Sequence, residues 1–383
     1  MFSFDFQQRT RIVCGPHKVD ALGELARSLG GRRVLMVSDP GIVAAGHTPR
    51  GMASLGRAGL ETLLFDGVHE NPTTDNVEAG VAAARQFKPD LLVGLGGGSS
   101  MDCAKGVNFV YSCGGRMQDY WGVGKATAEM LPMIAVPTTA GTGSEGQSFA
   151  LISDAATHVK MACGDPRAAC RIAVLDPTLT VTQPRSVTAL TGIDAIAHAL
   201  ETFVTTRRNA VSLLFSREAW RLLEENFLRV LDEPSDLEAR SGMQLGACFA
   251  GLAIENSMLG AAHALANPLT TEYGIVHGQA VSLMLPHVVR FNGVDYRDWY
   301  CELLEAIAGS NGAPPPARGP EGLAELIASL ADRAGLPGRL SECEVERQRL
   351  PELAAAAAKQ WTAGFNPRKV GEADLLALYE AAF

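Results

Sequence analysis

The first half of the chain alternates short, wholly apolar runs with segments of helical spacing. Arg32–Ser38 (RRVLMVS), Pro89–Leu95 (PDLLVGL), Leu131–Val136 (LPMIAV) and Ala169–Leu175 (ACRIAVL) are such runs. Each ends on turn or glycine chemistry: Asp-Pro-Gly, a glycine cluster, Pro137 with Gly and Thr, and Asp176-Pro177. A strand with one wet face alternates apolar and polar residues. Runs without that alternation predict strands buried on both faces, as in a parallel sheet covered by helices. Thr74–Gln86 carries its apolar residues at helical spacing between two of the runs, and Met1–Arg11 (MFSFDFQQRTR) alternates like a further strand.

After about residue 185 the strand-like runs stop. Amphipathic segments rich in Ala, Leu, Glu and Arg take over: Ser186–Val204, Ala210–Leu231, Glu238–Leu265, Gly278–Arg290, Tyr300–Ala308, Gly322–Ala334 and Leu350–Thr362. This predicts an α/β domain over 1–185 followed by an all-α domain over 186–383. Gly309–Glu321 (GSNGAPPPARGPE) reads as a surface loop in the helical half.

Composition narrows the class. With 383 residues, 47% hydrophobic and 20% charged, the chain has ample material for two cores. A net charge of −9 argues against nucleic acid and anionic membranes as partners. No apolar run approaches the roughly 18–20 residues of a membrane span. The opening residues lack a basic stretch followed by an apolar one, so the expected location is cytoplasmic. Eight scattered cysteines without a CxxC pair predict buried, reduced thiols.

Gly94–Ser99 (GLGGGS) joins a predicted strand to a predicted helix. Its glycines let backbone N–H groups approach a phosphate at a helix N-terminus; the plainer reading is a tight turn. Gly141–Gly146 (GTGSEG) matches G-x-G-x-x-G, but the residues after it read as strand, so it is a decoy for the dinucleotide fingerprint. Pro137–Ser144, rich in hydroxyls and glycine, still has the composition of a ligand-cradling loop. Asp39 closes the first apolar run. It can bond both ribose hydroxyls of an adenosine, or simply open a turn.

Asp194 and His198 are four residues apart in a helical segment and project from one face. They make either a buried hydrogen-bonded pair or half of a metal site. With His263 and His277, also in small or apolar surroundings, they form a nitrogen/oxygen set suited to a divalent first-row cation. His287 has no partner at ligand spacing and reads as structural.

Taken together, Gly96–Ser99 with Asp102 and Lys105, Pro137–Glu145 (PTTAGTGSE), Asp176-Pro177 with Leu179, Asp194–Glu201 (DAIAHALE), His263 and His277 with LPHVVRFN, and Asn366–Arg368 resemble the iron-containing (group III) alcohol dehydrogenase family. The resemblance implies a Rossmann-like N-terminal domain and an all-α metal-binding domain, in a dehydroquinate synthase-like architecture with the active site in the cleft between them. It implies hydride exchange between a small alcohol and NAD, with NADP less favoured, assisted by a divalent metal acting as a Lewis acid. Fe²⁺ is favoured over Zn²⁺, because four protein ligands leave room for substrate only above tetrahedral coordination. The implied metal ligands are Asp194, His198, His263 and His277. The implied nucleotide contacts are Asp39, Asn71, Gly97, Gly98, Ser99, Thr138, Thr139, Thr142, Phe149, Lys160, Leu179 and His277. The substrate pocket falls near Phe149, Ile254, Met258 and Asn267, and a homodimer or higher homo-oligomer is implied. One departure stands out. The family's HAMAHPLG-like run reads HALANPLT here, with Asn267 in place of a histidine associated with proton relay. That keeps open an alternative, a hydroxyacid-oxoacid transhydrogenase with tightly held nucleotide.

Overall fold

The structure is a computed structural model that describes residues 4–307 and 319–383. Chain contacts divide it into two compact units, Gln7–Thr182 and Gln183–Phe383, with the residues up to Phe6 joining the second.

The first unit holds nine strands. They are β1 (Arg11–Cys14), β2 (Arg33–Val37), β3 (Glu61–Phe65), β4 (Leu91–Gly96), β5 (Gly122–Val123), β6 (Met133–Pro137), β7 (Phe149–Ser153), β8 (Lys160–Gly164) and β9 (Ile172–Leu175). Its helices are α1 (Leu22–Ser28), α2 (Pro40–Ala44), α3 (His47–Arg57), α4 (Thr74–Phe87) and α5 (Gly98–Cys113). Six strands form a parallel sheet in the order β1-β9-β6-β4-β2-β3. Leu35, Val37 and Leu92 face one core, while Val34, Met36, Leu91 and Val93 face another. Both faces are covered, which is why these runs carry no polar alternation. β5, β8 and β7 make a smaller sheet beside it.

The strand order reverses between β2 and β4: β2 is followed by β3 on one side, β4 by β6 on the other. In open parallel sheets, ligands bind beyond the carboxyl ends of the strands at such a switch point. Asp39 follows β2 there, and the glycine cluster ends β4.

The second unit is helical: α6 (Arg185–Val204), α7 (Ala210–Asp232), α8 (Leu237–Asn256), α9 (Ala261–Tyr273), α10 (His277–Gly293), α11 (Arg297–Ala306), α12 (Pro320–Ala334), α13 (Leu350–Ala357) and α14 (Glu372–Ala382). Every residue from Gly192 to Val204 of α6 is buried, so this helix is the unit's axis, not one of its surface elements.

Several expectations change. The segment Glu238–Leu265 is not one helix: α8 stops at Asn256 and α9 restarts at Ala261 after a 105° bend. Ser257 leaves helical geometry there, and Gly260 opens the next helix. Among the described residues of the Met1–Arg11 stretch only Arg11 is in a strand, because β1 pairs solely with the four residues of β9. The expectation that nothing is long and apolar enough to span a membrane fails for α6, which passes that test as a core helix, 83% of the stretch being buried in the protein. Leu350–Thr362 is α-helical only as far as Ala357, and its last two residues begin a separate 3₁₀ turn, Trp361–Phe365. Of the expected loop Gly309–Glu321, positions 309–318 lie outside the described residues, and Pro320 already begins α12. None of the eight cysteines is in a disulfide; Cys103, Cys163, Cys170 and Cys248 are buried as expected, whereas Cys14 is exposed and Cys113, Cys301 and Cys343 are half-buried, and burial pushes the Cys103 thiol up to about 12.

Candidate metal centre and nucleotide cradle

In the α/β unit the sequence-predicted residues gather around the start of α5. Gly97 is its N-cap, in extended geometry without a side chain to cap it. A Cβ on Gly97 would touch Thr139 at 3.5 Å, and one on Gly98 would meet Thr142 at 2.6 Å, so the Pro137–Ser144 loop lies directly over the helix start. The Asn71 N–H donates to Ser99 Oγ at 3.3 Å, with Asn71 held at φ 53°. The Thr138 N–H donates to the Gly96 carbonyl at 2.9 Å. Asp39 opens the turn after β2, as the plainer of its sequence readings has it. Its Oδ1 accepts the Ile42 N–H at 3.0 Å, capping α2, while Oδ2 accepts the Ser100 hydroxyl at 2.9 Å beside Gly96. Gly96 itself sits at φ 151°, where a side chain is strained.

The loop is fixed from below by charges that the sequence reading left without a role. Lys105 is fully buried and donates to the Ser144 carbonyl, Ser144 Oγ and the Phe149 carbonyl at 2.7–2.8 Å. Ser144 Oγ in turn donates to Asp102 at 2.6 Å. Burial pushes the Asp102 carboxyl above its ordinary range, against the pull of Lys105. The GTGSEG segment ends in a short 3₁₀ turn, Ser144–Gly146, and is followed by β7, not by an α-helix, as expected of a decoy for the fingerprint. Phe149 and Lys160 begin β7 and β8, and the Leu179 side chain is fully buried in the core under the sheet.

In the helical unit three elements converge. Asp194 and His198 lie on α6, His263 at the third position of α9, and His277 at the first position of α10. Gly278 allows this approach, since a Cβ there would stand 2.1 Å from the Leu190 carbonyl of α6. The Nε2 atoms of His198, His263 and His277 lie 3.6, 3.5 and 3.8 Å from a single atom, Asp194 Oδ1. One ligand atom each from Asp194, His263 and His277 falls within a 4.8 Å group, and the His198 ring stacks on His263 at 4.8 Å.

These separations are too long for hydrogen bonds. Asp194 Oδ1 and His263 Nε2 are buried and have no hydrogen-bond partner. Buried polar atoms are nearly always paired, so an acceptor oxygen facing imidazole nitrogens without bonding them calls for an explanation. Atoms about 2.1 Å from a shared ion stand roughly 3–3.5 Å apart, close to what is found. The donor set therefore fits a divalent cation. Burial acts to raise the Asp194 carboxyl, but the imidazoles outweigh it and hold it well below the usual carboxylate range. Burial acts to lower His263, but Glu201 and Asp194 outweigh it and hold the ring at about 9.

Ile254 is buried at the end of α8, and Met258 is buried in the bend leading to His263. Asn267 lies one turn beyond His263, half-buried, and donates from Nδ2 to Gln360 Oε1 at 3.0 Å. His287 sits in α10 outside the cluster, its pKa lowered by burial. Glu201, present in the DAIAHALE run but given no role, lies 2.5 Å from His263 Nδ1. Its spacing of three from His198 and seven from Asp194 places it on their face of α6, a signal the sequence did carry.

The family described as "Iron-containing alcohol dehydrogenase" matches residues 9–177, and its C-terminal counterpart, "Fe-containing alcohol dehydrogenase family, C-terminal", matches 188–383. A 1,3-propanediol dehydrogenase of Klebsiella pneumoniae is 33% identical over 382 residues, covering 99% of each chain. A crystal structure of 1,3-propanediol oxidoreductase superposes over 100% of both chains with a TM-score of 0.94 at 32% identity. A sulfoacetaldehyde reductase from Bifidobacterium kashiwanohense, solved with NAD⁺, matches over 100% of this chain and 99% of that one (TM-score 0.90, 25% identity). These relatives are named for dehydrogenase and reductase activities, not for hydride exchange between hydroxy and oxo acids. The chain belongs to the iron-containing alcohol dehydrogenase family and is an alcohol/aldehyde oxidoreductase, of a family that implies a divalent metal and NAD.

Proposed function

We propose that this chain interconverts a small, uncharged alcohol and its aldehyde with NAD, using Asp194, His198, His263 and His277 to hold Fe²⁺. The carrying observation is the convergence of three Nε2 atoms on one buried, unpaired carboxylate oxygen. An ion held there supplies Lewis acidity to the alcohol oxygen. Fe²⁺ is favoured over Zn²⁺ because a four-residue ligand set leaves a place for substrate only in an ion that readily exceeds four-coordination.

The nucleotide reading assigns Asp39, Asn71, Gly97, Gly98, Ser99, Thr138, Thr139, Thr142, Phe149, Lys160 and Leu179 to the dinucleotide. The α5 N-terminus and its bare glycines offer N–H groups to the pyrophosphate. The Thr139 and Thr142 side chains crowd the same helix start and orient the phosphates. The Asp39 carboxylate at the end of β2 accepts from ribose hydroxyls and repels a 2′-phosphate, which supports NAD over NADP. Buried Ile254 and Met258 favour an apolar substrate body. Asn267 is an amide pinned to Gln360, so it orients a hydroxyl but carries no titratable proton at neutral pH. We further propose that the chain works as a homo-oligomer in the cytoplasm.

The test combines metal analysis of the purified protein with a panel of short aldehydes, scored by NADH and NADPH absorbance. Reduction with NADH should vanish on chelation and return with Fe²⁺. Full turnover by metal-free protein would overturn the reading.

A further inference from the structure

Helix α9 begins without a cap of its own. Its N-cap is Gly260, which has no side chain, yet the first N–H groups of any helix need acceptors from outside it. Two distant residues supply them. Asn366 Oδ1 accepts the Ala261 N–H at 3.3 Å, and Glu201 Oε1 accepts the Ala262 N–H at 2.7 Å. A Cβ on Gly260 would lie 3.0 Å from both acceptors, so the glycine is what admits them. Asn366 is held by Asn292 of α10: each amide nitrogen donates to the other's oxygen, at 2.7 and 3.0 Å.

Glu201 does a second thing with its other oxygen. Oε2 lies 2.5 Å from Nδ1 of His263, the residue next to Ala262. An ionised carboxylate only accepts, so this contact requires the proton to be on Nδ1. Nε2 is then the nitrogen that can give a lone pair to a cation, and it is Nε2 that lies 3.5 Å from Asp194 Oδ1 with no hydrogen-bond partner. Glu201 itself is buried, with two donors converging on its two oxygens.

We infer that Glu201 is a positioning residue for the metal centre: its carboxylate, shared between the start of α9 and the His263 ring, fixes the tautomer that turns Nε2 toward the ion. The inference rests on the proposed metal reading and adds to it a requirement for a carboxylate. Glutamine is the telling substitution, because it keeps the size and loses one acceptor. If its oxygen takes the Ala262 N–H, its amide nitrogen faces His263 Nδ1, and the ring must move its proton to Nε2, where it blocks ligation. If its oxygen takes Nδ1–H instead, two donors confront each other at Ala262. The first arrangement keeps both contacts but disarms the ligand; the second keeps the ligand's tautomer but loses the bond to the start of α9.

The experiment titrates Zn²⁺ into metal-free wild type, Glu201→Gln and Asn366→Ala, by competition with a chromophoric chelator. Circular dichroism and thermal midpoints are recorded alongside. Partners that orient metal ligands are worth roughly 10–100-fold in affinity, and Glu201→Gln should lose that much while keeping its helical content. Asn366→Ala removes the neighbouring cap without touching the tautomer; it should lower the thermal midpoint and cost less than about tenfold in affinity. Ring-¹⁵N spectra of zinc-loaded wild type give a readout that does not depend on a variant folding, and His263 should carry its proton on Nδ1. Wild-type Zn²⁺ affinity in Glu201→Gln, or an unprotonated Nδ1 in the wild-type spectrum, would overturn the inference and leave the metal reading standing. A wild-type chain that binds no divalent ion would overturn both.

Discussion

The two units bury their polar groups in opposite ways. Around α5 the named charges are answered within the protein: buried Lys105 donates three hydrogen bonds, Ser144 links it to Asp102, and half-buried Asp39 is engaged at both oxygens. At the helix start itself the surface that remains is backbone and hydroxyl, the material that suits a polyanion. Around α6 the opposite holds, since Asp194 Oδ1 and His263 Nε2 are buried and face one another unbonded. The two buried carboxylates record the difference. Asp102 is pushed up by burial, whereas Asp194 is held down by the imidazoles despite its burial. Internal satisfaction suits a scaffold for a ligand; a shared deficit of partners suits an ion.

The hardest test of that contrast removes the deficit. Asp194→Ala should abolish metal retention and lower kcat by about 10³-fold or more, the several kcal/mol that a Lewis acid supplies. NADH binding, followed by fluorescence, should survive, because no residue of the cradle is touched. Retained metal in this variant would show that the imidazoles alone define the site.

The reciprocal change fills the cradle. A side chain on Gly98 would start 2.6 Å from Thr142, so Gly98→Val should displace the loop and weaken NADH binding about tenfold, near 1.4 kcal/mol, with metal content unchanged. Asp39→Ala is milder and has two parts. Loss of the α2 cap should lower stability by about 0.5–2 kcal/mol in chemical denaturation. Loss of the carboxylate should narrow the NADH-over-NADPH preference in kcat/KM. A preference unchanged by the substitution would reduce Asp39 to a cap.

The contrast also explains what the sequence made legible. Buried parallel strands announce themselves because both faces are apolar, so β2, β4, β6 and β9 stood out within about three residues of their ends. β3 (ETLLF) was missed: it is an edge strand, half-exposed along its length, and lacks the run's signature. The proposed ligand set was readable because Asp194 and His198 share a helix face, and histidine in apolar surroundings is conspicuous. Lys105, Asn366 and Glu201 were present in recognised motifs, yet their partners lie at sequence separations of 39, 105 and 61 residues. No local pattern encodes such pairings. The break between α8 and α9 was written as Asn256, Ser257 and Gly260, and was overridden by the apolar periodicity on either side.

The smallest expected effect compares two histidines. The carboxylates of Glu201 and Asp194 raise the His263 pKa against its burial, whereas His47, at the start of α3, is buried with Nε2 bonded to Thr182 Oγ1 at 2.7 Å. Burial lowers the His47 pKa, and the Arg50 charge lowers it further, outweighing the pull of Asp176. The folded protein therefore binds a proton here more weakly than the unfolded chain. The stability this residue contributes is fully present above the unfolded value near 6.5, and is lost as pH falls below that toward the folded value. His47→Gln keeps an amide in reach of Thr182 and does not titrate. Its thermal midpoint should fall less than the wild type's when the pH is taken from 7 to 5, in metal-free and metal-loaded protein alike. A variant with the wild-type pH slope would place the acid sensitivity elsewhere, and one whose slope depends on the metal would tie His47 to the helical unit's chemistry, against the contrast drawn between the two.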